Sequence, residues 1–311
     1  MLNNKVENTR CVLADDMRKY VQVILKEYGE AIPEERKEFL KTIDDYNSRI
    51  VIKDSGTISM YATEKDIIMP KGAYRIFKYM KMIPGYGINK KHRSYKEGEI
   101  VNKNTYYDYI KHVFISGMSV KEFFRDALLH ETMHFCGSGG GNAIREGLTE
   151  LKTRELAQKY GLKASRCGYP KEVDVVIKLQ KIIGADILDK VAFAQDDMEI
   201  DMILKENCGS EVAKLFFDIS DLMDKELDEK YDHSKFGGLF GPIKKAKAYS
   251  KIDYSNIYEK INDFEEKNKS ATDNPQNQFF EDIRGDVLPE MDREPNIGDT
   301  IVDAGENDIH L

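Results

Sequence analysis

The residues whose types and spacing could do chemistry are His130-Glu131-Thr132-Met133-His134. On a helix, positions i and i+4 share a face, with Cβ atoms about 5–6 Å apart. Two imidazoles so placed can both reach one ion at about 2.0–2.1 Å. Glu131 projects to the side, where it can accept a proton from a metal-bound water. A catalytic zinc also needs a third protein ligand and one open position. The stretch Arg145-Glu146-Gly147-Leu148-Thr149-Glu150 supplies Glu146. The connector Gly137-Ser138-Gly139-Gly140-Gly141-Asn142 has the backbone freedom for a tight reversal, which would fold a second helix back on the first. Glu146 and Glu150 are again i, i+4, so Glu150 can accept the free ring N–H of a ligand histidine and fix its tautomer. Cys136 reads as a small buried apolar residue rather than a ligand. A two-histidine, one-carboxylate set also suits non-haem Fe(II), but the glutamate inside the motif favours one Zn²⁺ ion and hydrolysis.

Across residues 119–160 the sequence resembles the zincin metallopeptidases, in particular the gluzincin branch. There a downstream Glu, often followed by Gly, is the third zinc ligand and an acidic residue four positions later braces a histidine. The resemblance implies a zincin-like α+β fold and water-mediated hydrolysis of a peptide or protein substrate. It also implies an oxyanion donor, a Tyr or His downstream of the zinc helices. Tyr231 and His233 fit that place, ahead of a glycine-aromatic loop at residues 235–241, with Tyr160 and Tyr169 behind them. Zincins commonly bind an extended peptide along an edge strand beside the active-site helix, and residues 99–101 or 106–115 could supply that edge. The gap between His134 and Glu146 is shorter than in the best-known gluzincins. The metzincin pattern is excluded, because its third histidine position is Gly140 here. Two other readings use the same residues: a zinc amidase or deacylase acting on non-protein amides, and a degenerate zincin serving as an interaction module.

The elements that must position these residues are legible in outline. Residues 8–30 have helical spacing, and a second helix is expected from Pro33 towards Tyr46. Segments 49–53, 57–62 and 66–69 read as strands, with a turn at Asp54-Ser55-Gly56 and a stop at Pro70. A short helix over 73–82 follows. Ser119-x-x-Glu122 is a capping box opening the helix that carries the histidines. Gly161 is placed to close the next helix, over 143–160, in a left-handed conformation. Further helices are expected over 171–183, 185–194, 211–229 and 257–267. The expected architecture is a small mixed sheet in an N-terminal α/β region (1–115), packed on a helical catalytic region (116–268), followed by an acidic, disordered tail (269–311).

Composition narrows the function classes. The 311 residues carry a net charge of −8. Residues 271–311 hold eleven acidic and two basic residues, −9, which leaves the first 270 at about +1. The body therefore lacks the global basic footprint of a nucleic-acid binder. No apolar run is long enough for a membrane span. Four cysteines without a C-x-x-C pair argue for the reducing cytoplasm, and no secretory signal is legible at the start, although signal-independent export stays open. The clusters at Lys90-Lys91-His92-Arg93 and Lys244-Lys245-Ala246-Lys247 could contact the acidic tail within the chain.

Overall fold

A computed structural model describes residues 2–54, 59–82, 84, 86–88, 113–114, 116–137, 142–162, 169–230 and 251–272. The chain divides into two units, Met1–Asp263 and Phe264–Leu311. All that follows concerns the first. Of the second, only the end of a helix is described.

The first helix, α1 (Leu2–Tyr28), buries Leu13, Met17, Tyr20, Val21 and Ile24 along one stripe. That is the i, i+4, i+7 pattern of a helix with one apolar face. The next, α2 (Glu34–Lys41), starts just after Pro33 and ends well before Tyr46. Thr42 Oγ1 bonds Phe39 O, and Asp45 Oδ1 accepts from Asn47 N–H. These local side-chain bonds offer the backbone an alternative to continuing the helix.

Three short strands follow: β1 (Ile50–Lys53), β2 (Tyr61–Ala62) and β3 (Ile67–Pro70). They form a mixed sheet in the order β1-β3-β2. β1 and β2, on either side of residues 55–58, are therefore not paired with each other. β1 pairs parallel with β3, with Ile50 opposite Ile67, and β2 pairs antiparallel with β3, with Ala62 opposite Ile67. All four β3 residues are buried, as expected of the central strand, and Pro70 is tolerated because it ends the strand. Helix α3 (Gly72–Met80) follows and buries Gly72, Ala73 and Phe77.

The rest of the described unit is helical: α4 (Val120–Cys136), α5 (Ala143–Tyr160), α6 (Pro170–Ile183), α7 (Ala185–Phe193), α8 (Asp197–Cys208), α9 (Ser210–Lys230) and α10 (Ser255–Thr272). The protein is thus α+β, mostly helical, with one small mixed sheet. α8 was not among the sequence expectations. Its start is marked by Asp196, whose carboxylate accepts from Glu199 N–H, while Glu199 reaches back to Gln195 N–H.

Helix α4 is the centre of the fold. It packs against α1, α3, α5, β2 and β3. Its buried residues include Phe123, Phe124, Leu128, Leu129, Met133 and Phe135, on every side of the helix, as expected for a helix enclosed all round. Both bonds of the Ser119–Glu122 capping box are present. At the other end, Arg36 donates to Phe135 O and lies over the Phe39 and Phe135 rings, satisfying one of the carbonyls the helix end leaves unpaired. Among the described residues no helix is long and apolar enough to cross a membrane.

Candidate metal centre

The face of α4 that bears His130 and His134 meets the first turn of α5. Asn142 caps α5 by accepting from Arg145 N–H, and its amide donates to Ser220 Oγ. Asp224 of α9 accepts from Ala143 N–H. A helix start held from two sides fixes the direction of the residues just inside it. Glu146 is one of them. Residues 138–141 of the glycine-rich connector lie outside the described residues. Gly137 ends α4 at a negative φ of −97°, so the left-handed freedom invoked for the connector is not used there. Gly161 does use it, closing α5 at φ 63°.

His130 Nε2 and His134 Nε2 lie 3.2 and 3.1 Å from the same oxygen, Glu146 Oε2. Neighbouring ligands around a tetrahedral ion with bonds of about 2.0–2.1 Å sit about 3.3–3.4 Å apart. The three donor atoms all fall within 4.8 Å of one another. Two imidazoles and a carboxylate are the donors that zinc accepts, and this trio could hold one ion. Cys136, two residues on, is not in that group and is fully buried.

The donors are oriented from behind. His130 Nδ1 is 3.0 Å from Glu150 Oε2, the brace expected from the sequence. His134 Nδ1 is 3.2 Å from Thr149 Oγ1, a partner the sequence reading missed. Its signal was present, since Thr149 is three residues after Glu146, and i, i+3 residues share a face. Each ring thus turns Nδ1 to α5 and leaves Nε2 for the centre. Burial opposes ionisation of Glu146, but the His134 and His130 rings prevail and hold its carboxyl far below the usual carboxylate range.

Glu131 lies to the side of the donors. Burial raises its carboxyl to about 6, against the two imidazoles and a hydrogen bond from the Ala62 backbone. That bond follows from the sheet. Alternate residues of an antiparallel strand bond to their partner. Thr63 N–H bonds Asp66 O, so Ala62 turns its own N–H away from β3. Among the described residues β2 is an outer strand, and it packs on α4. Of the segments expected to supply the edge, residues 99–101, 106–112 and 115 lie outside the described residues, while residues 113–114 are helical rather than extended; β2 is the described strand beside the histidine helix.

Tyr231, His233 and the loop at 235–241 also lie outside the described residues, as do the two basic clusters and residues 273–311. Tyr160 is engaged elsewhere, donating to Glu27 Oε2. Among the described residues, Tyr169 reaches the site. Its ring stacks on His130 at 5.6 Å and 17°, and its hydroxyl bonds Glu146. Burial and the surrounding carboxylates of Glu146, Glu131 and Glu172 push its phenol well above its ordinary value, so it stays a donor. Its backbone is left-handed at φ 53°, unusual outside glycine, directly before Pro170. Such a conformation costs about 1–3 kcal/mol and persists only where the surroundings enforce it.

Comparison with protein-family models, with curated proteins and with solved structures gave no match. The chemistry of the site is therefore argued from its own residues.

Proposed function

We propose that this chain is a zinc-dependent metallopeptidase. The observation that carries the reading is the convergence of His130 Nε2 and His134 Nε2 on Glu146 Oε2, with Glu131 beside them and held from the sheet. His130, His134 and Glu146 are the zinc ligands. Zinc, when bound, supplies a Lewis acid that acidifies water and polarises a carbonyl. Glu131 takes the proton of the attacking water at its carboxylate and passes it to the leaving amine. A carboxyl raised to about 6 is suited to both transfers near neutral pH. Among the described residues Tyr169 O–H, which donates to Glu146 in the metal-free chain, is the group that would turn to the developing oxyanion; Tyr231 and His233 lie outside them. No observation favours a non-protein amide over a peptide, or an inactive fold.

The deciding experiment is Glu131→Gln, with zinc content measured alongside cleavage of a peptide library and of small amides. We expect one zinc per chain in both proteins and a loss of at least about a hundredfold in peptide cleavage in the variant. Full activity in the variant, or a wild type without zinc, removes the reading.

A further inference from the structure

We propose that Arg154 is a positioning residue of the metal centre, acting through Glu150 on His130. The inference rests on the zinc reading above and extends it by one shell. Glu150 is only 1% exposed. Its two oxygens have different tasks: Oε2 faces His130 Nδ1 at 3.0 Å, and Oε1 accepts from Arg154 Nε at 2.9 Å. Arg154 is four residues further along α5, with its side chain 22% exposed at the protein surface.

An i, i+4 ion pair on an exposed helix face contributes little and positions nothing. This pair differs because one partner is enclosed. A buried carboxylate with an unsatisfied oxygen rotates to find a partner. That rotation would take Oε2 from the His130 ring. Arg154 prevents it by engaging the second oxygen with a fixed, permanently charged donor. His130 is thereby kept with Nδ1 turned away and Nε2 turned to the ion. Neither of the other ring partners can substitute, because Thr149 serves His134 and Tyr169 stacks on the His130 face rather than its Nδ1 edge.

The test compares Zn²⁺ affinity of the full chain, by competition with a chromogenic chelator, in wild type, Arg154→Met, Glu150→Gln and the double variant. Thermal unfolding of the metal-free proteins is measured in parallel. Arg154→Met should weaken Zn²⁺ binding about tenfold. In the Glu150→Gln background the same substitution should change it less than twofold, because there is no longer a carboxylate to hold. Equal affinity in wild type and Arg154→Met overturns the inference, as does a tenfold loss that persists with Gln at position 150. If Arg154→Met does not fold, Arg154→Lys decides. It keeps the charge without the fixed Nε–H geometry, and affinity equal to wild type would then count against positioning. A wild type that takes up no zinc fails the proposed function first, and this inference with it.

Discussion

Gly147 lies so close to Glu172 that a Cβ added to it would come within 2.8 Å of the Glu172 carbonyl oxygen and of its Cβ. Helices α5 and α6 meet there through backbone, one residue after the third donor. The contact brings the start of α6, and with it Tyr169, over the His130 ring. Glycine is needed at 147 for this approach rather than for any turn.

Gly147→Ala is expected to destabilise the protein by about 1–3 kcal/mol, since backbone rather than a pliable side chain must move. Zinc affinity should fall along with stability, because α6 is pushed off the site. Urea titration with and without zinc checks both. Unchanged stability would show that the helices can separate at no cost.

Tyr169→Phe keeps the ring on His130 and removes one donor. Peptide turnover should drop about a hundredfold, with zinc content and KM nearly unchanged. Steady-state kinetics on a cleaved peptide separate the two parameters. A rise in KM alone would assign Tyr169 to binding.

Thr149→Val keeps the shape beside His134 and removes the oxygen 3.2 Å from Nδ1. Zinc affinity should fall about tenfold. The expected loss is in ion retention rather than in folding, so dialysis against a chelator is the sensitive measurement.

Zinc uptake at pH 7 should release about one proton. Burial alone would lower the His130 pKa, but hydrogen bonds and charge from Glu146 and Glu150 outweigh it and raise it to about 10 in the metal-free protein. A ligand imidazole must be neutral at the bound nitrogen. The sign follows: below the ordinary value of 6.5 the metal-free fold gains fully from the charged ring, and this gain is lost as pH rises through about 10. Calorimetric titration in buffers of different ionisation enthalpy counts the proton. A count of zero would mean that His130 is already neutral.

Much of the site was legible in the sequence because its signals are local. His130 with His134, and Glu146 with Glu150, each pair by helical spacing, the glycine connector and the family resemblance set the two pairs together, and the Ser119 and Gly161 caps depend on two or three neighbours. The approach of Tyr169 to His130 depends on the long-range contact at Gly147 and Glu172, and one sequence records no such contact. The strand order was hidden for a related reason. A turn signal at Asp54-Ser55-Gly56 tells where the chain bends and not which strand it meets, and β1 pairs with β3. The Ala62–Glu131 bond is written in the alternation of a two-residue strand, too short to carry a pattern. Helix α8 was missed although Asp196-x-x-Glu199 announces it.

The ion pair between His130 and Glu150 spans twenty residues, and the convergence of His134 on Glu146 spans twelve. α1, which packs along α4, is made about a hundred residues before it. Order of synthesis therefore matters to this chain. As it leaves the ribosome, both histidines emerge with the scaffold already made and no carboxylate yet to complete their set. Tyr169, which sits over them, comes later still. All three donors are present only once the chain has grown through Glu146, so an ion could be held no earlier than the start of α5.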